Sequence, residues 1–184
     1  MRRAFFALLS LLVFVPAEAT EAGWALLREG EQVVLLRHAF APGAAEPARF
    51  KIEDCGTQRN LSDRGQQQAR KIGALFLARA APTERVLSSR YCRALETGSI
   101  AFRDGEVEPF EALDLLSTDE KTAAAQNKAV IDEIRAYSGS GNLILITHQE
   151  NIKALTDVSA REGEAIIVRP TEQGLHVLGR VVFN

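Results

Sequence analysis

Two of the three histidines in this 184-residue chain stand where chemistry can be organised. His38 follows Gln32 to Leu36, a nearly continuous run of Val and Leu, and has Arg37 beside it. His148 follows Asn142 to Thr147, another short apolar run. Such runs read as strands buried on both faces, and in open α/β sheets ligands bind beyond strand ends. If the two strands are neighbours, both imidazoles open into one crevice. Imidazole and guanidinium together suit a phosphoryl group, because neutral imidazole is a nucleophile and arginine offers paired N–H bonds matched to phosphate oxygens. Arg93, within Ser88-Ser89-Arg90-Tyr91-Cys92-Arg93-Ala94-Leu95-Glu96-Thr97, is the second arginine placed for this. It lies beyond a strand and at the opening of a helix, an end that favours anions. His176, inside an alternating strand pattern, is read as structural.

The elements that must position these residues follow from periodicity. Ser62 is placed to cap a helix whose Ala69, Ile72, Phe76 and Ala80 share one face until Ala81-Pro82 ends it. Arg85 to Ser88 reads as a strand, residues 90 to 102 and 119 to 137 as helices, and Glu150 to Val158 as a short helix. Phe40 to Asn60, rich in Pro, Gly and charge without a period, is a long surface loop. Val107 to Leu116 has no clear period. Glu164 to Val168 and Leu175 to Phe183 read as closing strands joined through Arg169-Pro170 and Gly174, an antiparallel edge. Strands alternating with helices predict an α/β fold, a three-layer αβα sandwich with a mostly parallel central sheet and that antiparallel edge.

The first residues, Met1-Arg2-Arg3, an apolar run from Ala4 to Val15 and then Ala17-Glu18-Ala19, read as a secretory signal peptide cleaved after Ala19. That predicts a leader over 1–19, a single domain over 20–184, and a periplasmic or secreted location without stable membrane insertion. The formal charge of −2 becomes −3 once Arg2, Arg3 and Glu18 are removed. Mild acidity without a Lys/Arg run lacks the footprint of a nucleic-acid binder. The two cysteines, Cys55 and Cys92, allow one disulfide, and export favours it over two thiols. There is no Cys-x-x-Cys or His-x-x-x-His, so the sequence points to neither a metal nor another cofactor.

Four separated motifs, in order, resemble those of the histidine phosphatase superfamily. Arg37-His38-Ala39 is similar to its Arg-His-Gly signature, and Leu61-Ser62-Asp63-Arg64-Gly65-Gln66-Gln67-Gln68-Ala69 to its helix start. Ser88-Ser89 through Arg93-Ala94 and Thr97 resembles the third motif, and Thr147-His148 the fourth. The resemblance implies an αβα sandwich and a phosphohistidine intermediate. His38 would attack phosphorus while Arg37, Arg93 and His148 hold the phosphoryl oxygens. His38 must attack as neutral imidazole, and its two arginine neighbours push it that way. Ala39 stands where the signature has glycine; exported relatives also carry Arg-His-Ala, and the change forfeits easy access to positive φ.

Asp54-Cys55-Gly56-Thr57-Gln58-Arg59-Asn60 resembles the exported subgroup too, and Arg59, Asn60 and Ser62 are candidate substrate contacts. A Cys55–Cys92 bridge would fasten this loop next to Arg93. The acid that protonates the leaving group is open: Glu111 and Asp114 fall in the segment where many relatives carry it, and Glu46 and Glu150 are further candidates. The implied partner is a small phosphorylated substrate; an envelope sugar phosphate is the analogy from exported relatives. The rival reading is a non-catalytic phosphate-binding or sensory module on the same fold.

Overall fold

In the computed structural model, which describes residues 17–183, the chain runs α1 (Ala17–Glu29), β1 (Val33–Arg37), α2 (Asp63–Ala78), β2 (Thr83–Ser88), α3 (Cys92–Ala101), β3 (Val107–Pro109), α4 (Glu120–Ala136), β4 (Asn142–Thr147), α5 (Gln149–Thr156), β5 (Ala165–Thr171) and β6 (Gly174–Val181). The strands form one six-stranded sheet in the order β3-β2-β4-β1-β5-β6. The first four run parallel to one another, and β5 and β6 close the sheet antiparallel. This is the expected mixed sheet with an antiparallel edge. The expected leader lies outside the described residues except for 17–19, which fall in the first turn of α1.

Successive strand residues point to opposite faces, so each central strand feeds two cores. Val34, Leu36, Ile144 and Ile146 pack with Trp24 and Leu27 of α1, Ile72 and Phe76 of α2 and Ala94 of α3. Val33, Leu35, Leu143 and Leu145 pack with Val130 and Ile134 of α4 and Ile152 and Leu155 of α5. Helices on both faces of the sheet give the three layers.

Three local expectations are corrected. Helix α1 was not foreseen: it buries Trp24 edge-on against Phe76 and Phe183, with ring centroids 5.5 and 5.6 Å away. Arg169 and Pro170 belong to β5 and are not its exit turn; Pro170 pairs with Leu175 beyond the last rung shared with β1, where the missing N–H costs no central hydrogen bond. The segment without a period divides into β3, parallel to β2, and a single 3-10 turn at Glu111–Leu113.

Cys55 and Cys92 form a disulfide, their Cα atoms 5.7 Å apart across a separation of 37 residues. Closing a loop of that span restricts the unfolded chain by about 4 kcal/mol on the chain-entropy model. Reduction, or the Cys55→Ser/Cys92→Ser pair, is expected to lower the unfolding free energy by up to that amount in urea titrations. An unchanged midpoint would mean that side-chain packing alone holds the loop.

Candidate active site

The register of the two central strands makes the site. β1 and β4 pair with Arg37 opposite Thr147, so the chain leaves both strands at the same level, and the His38 backbone N–H donates to the Thr147 carbonyl at 3.1 Å. The two imidazoles lie 5.3 Å apart between ring centroids, and each residue is 1% exposed. His38 Nδ1 lies 2.8 Å from the Ala39 carbonyl oxygen, which can only accept, so Nδ1 carries the proton and Nε2 keeps its lone pair.

Arg93 stands between the histidines. It is 1% exposed, donating from Nε to His38 Nε2 (3.1 Å), from one terminal nitrogen to His148 Nδ1 (3.1 Å) and from the other to Glu46 (2.6 Å). With Nδ1 accepting, His148 Nε2 bears the proton and donates to Ser89 Oγ at 2.9 Å; Ser89 Oγ donates in turn to Asp114 at 3.1 Å. Asp114 also accepts from the Arg90 backbone N–H and Nε. It thus anchors a buried chain, Asp114–Ser89–His148–Arg93, that sets the tautomer and tilt of His148.

The motif residues around the histidines brace backbone. Thr97 Oγ1 donates to the Arg93 carbonyl and accepts from the Ala39 N–H, linking the two arms of the site. Ala39 is fully buried and is not among the positive-φ residues, so alanine in place of glycine carries no backbone strain there. Gly65 is required by close approach: a Cβ would run into the Phe40 carbonyl oxygen. Gln68 accepts from the Phe40 N–H and donates to the Glu162 carbonyl, tying the turn after β1 to the turn before β5.

A cavity of about 260 Å³ opens over the histidines, and its wall carries Arg37, Arg59, Arg93, Glu46 and Glu150. Arg37 donates to the Ala160 carbonyl at 2.9 Å, yet its buried Nε makes no hydrogen bond within the protein, and neither does the buried Nε of Arg59. Both are donors without a hydrogen-bond acceptor beside the buried His38. Of the other candidates, Asn60 and Ser62 do not line the cavity: Asn60 donates to the Cys55 carbonyl, and Ser62 caps α2. Glu111 and Asp114 are outside it too, both paired with Arg90. Glu46 is the carboxylate in contact with Arg93; it also accepts from the Arg59 N–H at 3.0 Å. Sequence reasoning missed Ser89 as the support of His148 and Gln58, which accepts from the Cys92 N–H and donates to the Lys51 and Ile52 carbonyls. No periodicity announces either contact. His176 is exposed on β6.

Burial sets the protonation of both histidines. It is the largest influence lowering the His38 pKa to about 3; the bond to the Ala39 carbonyl opposes it, and the charges of Arg93, Arg37 and Arg59 assist it. His148 is driven well below its ordinary range by burial first, then by Arg93. Folded protein therefore holds both rings neutral where the unfolded chain binds protons. Stability is expected to be complete above about pH 6.5 and to fall as pH drops from there toward 3, by up to about 1.4 kcal/mol per unit for each histidine. Urea titrations at pH 7 and 4.5 should show this, with a shallower slope in His38→Asn; equal slopes would refute it.

The fold and site define an αβα sandwich that presents two buried histidines and three arginines beyond its central strands. Neither a protein-family model nor a curated protein matches the sequence. Solved structures do: alpha-ribazole phosphatase from Shigella flexneri (TM-score 0.64, 13% identity, 83% of this chain and 96% of that one), phosphoglycerate mutase from Thermus thermophilus (0.57, 18%, 83% and 99%) and mycobacterial glucosyl-3-phosphoglycerate phosphatase in complex with VO3 (0.59, 14%, 80% and 97%). These neighbours are members of the histidine phosphatase superfamily, and the likeness shows that this chain has their fold.

Proposed function

We propose that this chain is an exported, metal-independent phosphatase that hydrolyses a phosphomonoester through a phosphohistidine on His38. One observation carries the reading: a neutral, buried histidine whose unprotonated Nε2 meets Arg93 lines a cavity whose arginines include two buried Nε groups with no hydrogen-bond partner in the protein. An oxyanion supplies what those donors lack. The structural neighbours include two phosphatases of small phosphorylated compounds. The disulfide and the leader-like residues 1–19 support export; no helix among the described residues is long and apolar enough to cross a membrane.

An incoming phosphate takes donors of Arg93, Arg37 and Arg59, which frees His38 Nε2 from Arg93. Nε2 forms the N–P bond as the P–O bond to the leaving group breaks, and the guanidinium groups hold the three phosphoryl oxygens as charge shifts. Water then attacks phosphorus, the N–P bond breaks, and inorganic phosphate leaves with His38 neutral again. Three arginines on the wall, two of them with a buried Nε that makes no hydrogen bond, disfavour a cation, in keeping with a reaction that uses none.

Glu46 fits the proton donor better than Glu111 or Asp114, because it touches the arginine that holds the phosphoryl group. A monoanionic ester brings a proton that Glu46 is placed to pass to the leaving oxygen. Glu46→Gln is expected to slow hydrolysis of alkyl phosphates by about 10²-fold or more and that of p-nitrophenyl phosphate far less, since nitrophenolate leaves without protonation. Equal effects on both would show that Glu46 only positions Arg93. The reading as a whole is tested by assaying chelator-treated protein with p-nitrophenyl phosphate. Turnover supports it, activity that returns only with added metal overturns metal independence, and none under either condition favours a phosphate-binding module.

A further inference from the structure

A second cavity, of about 290 Å³, lies against the phosphate site and shares Leu115 with it as a wall. Its floor is aromatic. Phe50 stacks on Tyr91 with centroids 5.1 Å apart and planes 24° from parallel, and Tyr91 meets the His148 ring edge-on at 4.9 Å. Ile52 and Leu115 extend the apolar surface, and Ser117 and Gln126 stand in the lining with side chains able to hydrogen-bond.

This wall is built from a loop that would otherwise be loose. Phe50 and Ile52 belong to the long segment between β1 and α2, which has no strand or long helix of its own. The disulfide joins its Cys55 to Cys92, the residue after Tyr91. Buried Gln58 closes the same seam, donating to the Lys51 and Ile52 carbonyls at 3.0 and 2.7 Å and accepting from the Cys92 N–H at 2.9 Å. One covalent and three polar links thus hold Phe50 and Ile52 against Tyr91. Arg93 and the histidines are held by α3 and the sheet, so of the proposed phosphate donors only Arg59 depends on this loop. Pre-organising a surface matters for a group that must bind it.

Charge narrows what that group can be. The cation in this cavity, Arg90, is already shared by Asp114 at 2.7 Å and Glu111 at 2.9 Å, so two carboxylates face one guanidinium. On the phosphate side Glu46 and Glu150 stand against Arg37, Arg59 and Arg93, whose charge the phosphoryl group itself takes up. A carboxylate-bearing substrate would be repelled, whereas an uncharged ring with an apolar face would lie on the aromatic floor.

We infer that this cavity is the leaving-group subsite, and that it selects phosphomonoesters of uncharged, ring-bearing alcohols. The inference rests on the phosphatase reading and names its substrate class. Four esters of primary alcohols test it: ethyl phosphate, 3-phosphoglycerate, benzyl phosphate and glucose 6-phosphate. At least one ring ester is expected to exceed ethyl phosphate by about tenfold or more in kcat/KM, with 3-phosphoglycerate the poorest. Phe50→Ala should bring the ring-to-ethyl ratio close to one, and Phe50→Leu, which keeps bulk and reports on folding, should reduce it less. A leading benzyl ester makes the recognised ring purely apolar, and a leading glucose 6-phosphate makes it a sugar; either supports the subsite. A ratio near one in the unmodified protein, a ratio that Phe50→Ala leaves intact, or a preference for 3-phosphoglycerate overturns it. Absence of turnover with all four and with p-nitrophenyl phosphate brings down the phosphatase reading itself.

Discussion

His38→Ala is expected to reduce turnover of p-nitrophenyl phosphate by about 10⁴-fold or more, because the proposed mechanism makes its Nε2 the acceptor of the phosphoryl group. The other imidazole, His148, directs its protonated Nε2 at Ser89 and its Nδ1 at Arg93, so neither nitrogen is free to attack. The phosphoenzyme supplies an independent readout. Protein quenched during turnover should carry phosphate that survives alkali and is lost in acid, as an N–P bond on imidazole is, and the variant should carry none. His38→Asn, which fills more of the space, controls for loss of the fold. A variant that retains turnover, or a trapped phosphate on another residue, would dismiss His38 as the nucleophile.

Arg93→Ala is the second large effect. This side chain links His38, His148 and Glu46 at once, and its pKa is pushed down chiefly by burial, with Glu46 countering. On the proposed mechanism its removal takes the central phosphoryl donor from the site, which should cost about 10³-fold in kcat/KM. It also leaves a half-buried Glu46 carboxylate without its closest cation, so unfolding free energy should fall by about 3 kcal/mol. Arg93→Lys separates the two roles. Lysine restores charge near Glu46 and so most of the stability, but a single ammonium cannot reach both histidines and an oxyanion as the planar guanidinium does. Activity should therefore stay at least tenfold down when stability has returned. Activity recovered in step with stability would make Arg93 a structural residue only.

How far the chain could be read in advance follows the range of the interactions. The α/β architecture, the strand before each histidine and the cap at Ser62 rest on contacts within a few residues, and all were legible. Helix α1 was not: its Trp24 and Leu27 signal a buried face, but the short segment follows the leader-like residues and lacks an N-cap pattern to mark it off. The surroundings of the candidate acids were not legible, for another reason. Glu111 and Asp114 were candidates through the resemblance, and in this fold Arg90 draws both toward itself; nothing local to residues 111–114 encodes that.

What the sequence determined by itself was the inventory and the order. It specified two histidines at the ends of buried strands, arginines beside one of them and at a helix opening, and two cysteines able to pair. Alternating strands and helices and apolar runs express free energies that act over one or two turns of chain, so they can be read without coordinates. Tertiary structure decided the rest. Pairing of β1 with β4 in register put the two imidazoles 5.3 Å apart, burial held them neutral, and the folded-back loop brought Glu46 to Arg93 from 47 residues away. Those outcomes depend on desolvation and on which distant charges share one cavity, quantities that exist only once the chain has closed around them.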